Sequence, residues 1–232
     1  MISPESGIII TGASRGIGAS TAEYLARVRK NPLLLIGRNH VRLEQVADVC
    51  RIHGCTIYTM PVDLTDEEEL NRTSLPGNFN PSVLINNAGV YIEKNLEETQ
   101  IQDYYEQFRS NVITAVAATR RFLPDLLTNT PALIVNICSI ASLAGIERSP
   151  AYAVSKHALL GYTRSLRQSL AGQDVAATAI NLGPTASGSW DEEDRDTETL
   201  IDPVDVARLI DTLLNLSTRG IIDEILFTSS SK

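Results

Sequence analysis

Seven short runs rich in Ile, Val and Leu recur along the chain, at 7–11, 32–37, 56–63, 82–87, 132–139, 175–181 and 224–228, and most are separated by longer segments of helical period. Several runs are apolar at consecutive positions. A half-exposed strand alternates apolar and polar residues, so these runs should be covered on both faces, as parallel strands are. The pattern predicts an α/β fold, a doubly wound sheet of about seven parallel strands with helices on both faces. A chain of 232 residues can close such a sheet in one domain spanning 1–232, with a sizeable core and no need of disulfide or metal staples.

The intervening segments carry helix punctuation. Thr65-Asp66-Glu67-Glu68 reads as a capping box, in which the Thr65 hydroxyl and the Glu68 carboxylate satisfy N–H groups that a helix start leaves free. Ser149-Pro150 and Asp202-Pro203 each set a capping side chain before a proline at the first helical position. Leu43, Val46, Ala47 and Cys50 form one apolar stripe; Val206, Leu209, Ile210, Leu213 and Leu214 form another.

The charge balance, 20 Lys+Arg against 28 Asp+Glu for a net −8, argues against a surface built for phosphate backbones, so no nucleic-acid partner is expected. Asp191, Glu192, Glu193, Asp194, Asp196 and Glu198 surround Arg195 and Trp190, and residues 187–201 read as an acidic substrate loop or lid. Cys50, Cys55 and Cys138 have no CxxC spacing, and His40, His53 and His157 have no ligand spacing; a reducing compartment and no metal are expected. With no leader-like start and no run of the roughly eighteen apolar residues that span a bilayer, a cytoplasmic protein without a membrane partner is expected.

Chemistry gathers first where the opening run meets Thr11-Gly12-Ala13-Ser14-Arg15-Gly16-Ile17-Gly18, followed by a helical pattern with Ile17, Thr21, Leu25 and Val28 on one face. Glycines let the backbone turn tightly and approach a ligand, and the N–H groups and positive dipole end of a helix favour a pyrophosphate. A plain strand-to-helix turn would explain the glycines alone. The strand before and the helix after favour a dinucleotide. The second run ends Leu35-Ile36-Gly37-Arg38, where an acid would receive the ribose hydroxyls of NAD. Arg38 and Arg15 instead suit a 2′-phosphate through charge-assisted hydrogen bonds, so NADP(H) is the expected cofactor.

Further on, Ser139 closes the fifth run, and Tyr152-Ala153-Val154-Ser155-Lys156 opens a helix on which a spacing of four puts Tyr152 and Lys156 on one face. A phenol is a poor base at neutral pH, but a neighbouring ammonium favours its ionised form, so such a tyrosine can exchange a proton with a carbonyl or alcohol oxygen. A packed tyrosine beside a solvated lysine would account for this spacing taken alone.

Together, TGASRGIG at 11–18, Asp63 after the third run, NNAG at 86–89, Ser110-Asn111, Ser139 and YAVSK at 152–156 resemble the short-chain dehydrogenase/reductase family in its short, single-domain, NADP(H)-preferring, carbonyl-reductase-like form. The resemblance covers nearly the whole chain, from 7 to about 227. It implies a Rossmann-like fold whose second half carries the reaction centre, and a catalytic tetrad of Asn111, Ser139, Tyr152 and Lys156. Tyr152 would donate a proton to the substrate oxygen, Ser139 would hydrogen-bond that oxygen, and Lys156 would hold the nicotinamide ribose and favour the phenolate. Asn111, at a helix irregularity, would anchor a relay water. Cofactor contacts would come from Gly12, Ser14, Arg15, Gly16, Ile17, Gly18, Arg38, Asp63, Leu64, Asn87, Gly89, Gly183, Thr185 and Ser187, besides Tyr152 and Lys156. Two departures are visible: the usual Pro-Gly after the sixth strand appears as Leu182-Gly183-Pro184, and Ser187 stands where a threonine is usual.

The resemblance implies NADPH-dependent reduction of a ketone or aldehyde carbonyl, reversible as alcohol oxidation, and the acidic loop points to a small uncharged or apolar substrate. A 3-oxoacyl thioester (acyl-carrier-protein) reductase is the alternative within the enzyme class, disfavoured because that loop would repel acidic carriers and coenzyme A. A non-catalytic NADPH-sensing or partner-binding protein is the alternative of another class, and it would not need Ser139, Tyr152 and Lys156. Taken alone, the segment 99–127, with Val112, Ala115, Val116 and Ala118, reads equally well as core; the resemblance implies a homodimer or homotetramer paired through it and the helix after it.

Overall fold

The structure is a computed structural model that describes residues 2–186, 199–217 and 219–230. Strands β1 (Gly7–Thr11), β2 (Leu33–Gly37), β3 (Ile57–Pro61), β4 (Pro81–Asn86), β5 (Ala132–Ser139), β6 (Val175–Leu182) and β7 (Glu224–Phe227) form one sheet in the order β3-β2-β1-β4-β5-β6-β7. Every neighbouring pair is parallel. Each expected run holds a strand, with ends moved by at most a few residues.

Successive side chains on a strand point to opposite faces, and both faces here are packed. Ile8 and Ile10 join Leu33, Leu35, Val83 and Ile85 beneath helices α1 (Gly16–Val28), α2 (His40–Arg51) and, further along the chain, Pro203–Asn215. Ile9 joins Leu34, Leu84 and Ile134 on the other face, against Phe122 and Leu126 of the helix Thr114–Thr128 and Leu166 of the helix Pro150–Ser169. This double burial is why the strands read as unbroken apolar runs. The remaining helices are the short α3 (Glu67–Arg72) and α4 (Ile101–Phe108), so the three just placed are α5 (Thr114–Thr128), α6 (Pro150–Ser169) and α7 (Pro203–Asn215).

The helices differ from the expectation in three places. The capping box at Thr65 does not form: α3 is capped one residue later by Asp66, whose carboxylate accepts from the Glu69 N–H at 2.9 Å. Asp63 takes both the Thr65 N–H and its hydroxyl at 2.8 Å, so the threonine is spent on the turn leaving β3. Ser149 does occupy the position before Pro150, but its hydroxyl donates to the Arg148 carbonyl instead of capping α6. Val28 is exposed at 48%, because the buried face of α1 runs through Thr21, Ala22, Leu25 and Ala26. Asp202 caps α7 as expected, accepting from Val204 N at 2.8 Å.

The strand order reverses between β1 and β4, where one neighbour continues to β2 and the other to β5. In open α/β sheets the crevice for a ligand opens beyond the carboxyl ends of the strands at such a point. Between α4 and α5 the helix widens into one π turn, Arg109–Ile113, an irregularity that often marks a functional site.

Candidate active site

A cleft of about 620 Å³ opens above the carboxyl ends of β1, β2, β4, β5 and β6, a size in the range of ligand sites. One end is built by the turn out of β1. Gly12 and Gly16 have φ of +65° and +56°, a backbone region that L side chains avoid. A Cβ on Gly12 would also come within 2.8 Å of the Ala88 backbone, so only glycine lets the β1 and β4 ends meet this closely. Thr11 ties the same ends together, its hydroxyl accepting from the Asn87 and Ala88 N–H groups at 3.0 Å. Asn87 braces the turn from the other side, donating to the carbonyls of Thr11 and Gly12 at 3.0 and 3.2 Å.

The turn delivers the start of α1 to the cleft. No side chain caps that start and no acidic residue lies in its first turn, so backbone N–H groups and the positive end of the helix dipole face the opening. Ser14, Arg15, Gly16 and Ile17 line the cleft there. Gly18 does not: a Cβ on it would strike the Gly12 carbonyl, so its place is the tight packing of α1 under the loop.

Arg38, Asp63 and Leu64 line the cleft beside this turn. Burial opposes ionisation of Asp63, but its hydrogen bonds from Thr65 and the charges of Arg38 and Arg109 together hold its carboxyl below the usual value. Asp63 is therefore an ionised acceptor at this end, with cations on its flanks.

The other end is built on β4, β5, α6 and the π turn. Ser139 closes β5; its hydroxyl oxygen accepts from Ala141 N at 3.1 Å, while its hydroxyl hydrogen has no protein acceptor among the described residues. A ligand oxygen can take that hydrogen. Tyr152 projects from the first turn of α6, and Lys156 follows one turn later, buried at 6% exposure and donating to the Ile137 carbonyl at 2.9 Å. The Lys156 nitrogen stands 5.7 Å from the centre of the Tyr152 ring, within the reach of a cation–π contact.

Asn111 sits in the π turn, and its amide crosses to the loop after β4. It accepts from Val90 N at 2.8 Å and donates to Val90 O at 3.0 Å, Gln107 Oε1 at 3.0 Å and Ser155 Oγ at 3.1 Å. A Cβ on Gly89 would lie 2.5 Å from Asn111 Oδ1, which explains the glycine. Gly183 and Thr185 line the cleft beyond β6, where Thr185 pairs with Ile201. Ser187 and most of the acidic loop lie outside the described residues.

Among the sequence-predicted residues in the described part, all except Gly18 line this one cleft. Sequence reasoning missed Thr11, Tyr91, Gln107 and Ser155. Ser155 and Thr11 lay inside quoted motifs, so their positions were signals; Gln107 and Tyr91 carried none. Among the described residues no group of three or more His, Cys, Asp or Glu could hold a metal, and no helix is long and apolar enough to cross a membrane.

A dinucleotide fits these residues. The uncapped helix start suits a diphosphate, the glycine turn leaves room for close approach, and the ionised Asp63 can accept from an amino or hydroxyl group.

A family model described as short chain dehydrogenase matches residues 6–198. An uncharacterized oxidoreductase of Bacillus subtilis is 30% identical over 186 residues, which make up 78% of this chain and 66% of that protein. The chain spans 66%, 62% and 57% of the lengths of the first curated relatives it matches. Among solved structures, an alcohol dehydrogenase of Thermococcus sibiricus complexed with 5-hydroxy-NADP superposes with a TM-score of 0.88 at 24% identity, covering 98% of each chain. A short chain dehydrogenase/reductase of Burkholderia phymatum in complex with NAD superposes with a TM-score of 0.84 at 24% identity, covering 96% of this chain and 88% of that one. At these identities the two structures speak for the fold.

Proposed function

The chain belongs to the short-chain dehydrogenase family, and from that premise we propose that it reduces a ketone or aldehyde carbonyl in a small uncharged or apolar molecule, using NADPH, with the reverse alcohol oxidation open to it. One observation carries this reading: Ser139, Tyr152 and Lys156 line the same cleft as the glycine turn and the uncapped start of α1.

At the reaction end, the Ser139 hydroxyl donates to the carbonyl oxygen and fixes its position. The Tyr152 hydroxyl meets no protein partner among the described residues, so it is available to the same oxygen and hands over its proton as the carbonyl becomes an alcohol. Lys156, anchored on Ile137, holds positive charge beside the ring and stabilises the phenolate left behind. When bound, the reduced nicotinamide supplies the hydride that the carbonyl carbon receives.

At the other end, the α1 N–H groups take the diphosphate, Asp63 accepts from the adenine amino group, and Arg15 and Arg38 take a 2′-phosphate. Gly183 and Thr185 meet the carboxamide beyond β6. Asn111, whose side chain is held by four protein groups at the π turn, anchors a relay water. The protein acts in the cytoplasm as a homodimer or homotetramer.

The test is an NADPH-oxidation panel of diketones, quinones, aldehydes and 3-oxoacyl thioesters, run with NADH alongside. Reduction of uncharged ketones or aldehydes, faster with NADPH, supports the proposal. Reduction confined to the thioesters would replace it with an acyl-thioester reductase, and tight NADPH binding with no turnover would replace it with a sensor.

A further inference from the structure

The ring of Tyr152 has no hydrogen bond to hold it among the described residues, so its orientation is set by what packs against it. Two groups do so: the Lys156 ammonium, 5.7 Å from the ring centre, and Tyr91, whose ring meets that of Tyr152 edge-on, with centroids 5.0 Å apart and planes at 90°. We propose that Tyr91 is a positioning residue for Tyr152, held in its own place by Glu93 and Arg148.

Tyr91 lies in the irregular segment between β4 and α4, which has no ladder to stiffen it. It is instead fastened at both ends. Before it, Val90 exchanges two hydrogen bonds with the Asn111 amide. After it, Lys94 N donates to the Arg148 carbonyl at 3.0 Å, and Lys94 Nζ reaches Asp103 at 2.6 Å. Between these anchors the Tyr91 hydroxyl donates to Glu93 Oε2 at 3.2 Å, and Glu93 Oε1 lies 2.8 Å from Arg148 Nε.

Arg148 stands only four positions before Tyr152, at the approach to α6. The chain of contacts Arg148–Glu93–Tyr91–Tyr152 therefore closes on itself: the segment that presents the proton donor also fixes the residue that braces it. Tyr91, Glu93, Arg148 and Tyr152 all line the cleft, so the brace sits where a substrate enters. Glu93 is 15% exposed while Arg148 is 65% exposed, so the carboxylate is the shielded partner and the guanidinium the one that can let go.

An edge-on aromatic contact is worth a small multiple in a rate, not an order of magnitude for each ring, which sets the size of the effect. The inference rests on the reading of Tyr152 as proton donor, and two measurements separate their failures. In the first, Tyr91→Leu lowers kcat about fivefold while NADPH affinity stays within about twofold, and Tyr91→Phe, which keeps the ring, restores most of the loss. Glu93→Gln lowers kcat about twofold, and Tyr91→Leu with Glu93→Gln is no slower than Tyr91→Leu alone, because both cut one chain. In the second, 3-fluorotyrosine placed at position 152 is followed by fluorine NMR with no substrate present. The wild type gives one narrow line, and Tyr91→Leu shifts or broadens it. An unchanged line, or an NADPH affinity that falls in step with kcat, overturns the positioning role. A wild type inactive on every carbonyl, with the line still moved by Tyr91→Leu, overturns the proposed activity and leaves the brace standing.

Discussion

The ammonium nitrogen of Lys156 lies 5.7 Å from the centre of the Tyr152 ring while donating to the buried carbonyl of Ile137 at 2.9 Å. The lysine thus has one fixed hydrogen bond and two hydrogens still to give. Removing the phenol oxygen should leave this arrangement intact. Tyr152→Phe is expected to lower kcat by about 10²–10⁴-fold, the usual worth of a positioned proton donor, with NADPH affinity unchanged by fluorescence titration. Retained turnover would remove Tyr152 from the chemistry.

Arg38 is exposed at the end of β2, beside the ionised Asp63. If it reads a 2′-phosphate, Arg38→Ala weakens NADPH binding by about tenfold or more, the value of one charge-assisted hydrogen bond, and leaves NADH binding unaltered. Equal losses for both nucleotides would mean that Arg38 only shapes the cleft.

Two glycines should answer oppositely to the same substitution. Gly18→Ala drives a methyl group into the Gly12 carbonyl, and overpacking of this kind costs about 1–3 kcal/mol, a fall in Tm of roughly 5 °C. Gly161 lies inside α6 with nothing beyond its own helix backbone within 4 Å of where its Cβ would be, so Gly161→Ala should stabilise by about 0.5–1 kcal/mol. Calorimetric scans of the two variants check both signs.

Glu224 of β7 receives two hydrogen bonds from Arg164, at 2.8 and 3.0 Å, and one from Arg167 at 3.1 Å. The Arg164 bonds, first, and the one from Arg167 hold its carboxyl below the usual value against the opposing effect of burial. Below the ordinary carboxylate value the unfolded chain then binds more protons than the folded one. The stabilisation is present in full above about pH 5 and is lost as pH falls through the lowered value. Tm measured downward from about pH 5 should therefore drop more steeply for the wild type than for Glu224→Gln.

All three cysteines are buried, and burial pushes the Cys50 thiol up to about 12. Thiolate is the reactive form, so a disulfide reagent at neutral pH should leave the native protein unmodified and react with all three on denaturation. Rapid labelling of the native protein would show that one of these thiols is reached from solvent.

Much of this molecule is legible in its sequence because parallel strands buried on both faces cannot hide. Leu33, Leu34, Leu35 and Ile36 are apolar in succession, and each is almost wholly buried. The glycine turn was legible for a similar reason, since the meeting of Gly12 with Ala88 admits no other residue. The cap of α3 was not, because Thr65 and Asp66 both suit the role and the choice was made by Asp63, which captured the threonine. Tyr91, Glu93 and Arg148 were not legible either. No local period links a loop after β4 to the approach to α6; only the closing of the sheet brings them together. The order of the strands, with β1 beside β4, likewise belongs to the packing and to no single segment.

The Asn111 amide joins the π turn to the loop after β4, to α4 and to α6 through four hydrogen bonds. A screen that scores variants at this position only by turnover would record a dead enzyme and credit the residue with chemistry. The same variant frees Val90, and with it the anchored side of Tyr91, so part of the lost rate would arise even with every reacting group present. The position behaves as a keystone shared by three walls, and its contribution to the reaction becomes readable only in a variant whose walls have been refastened elsewhere.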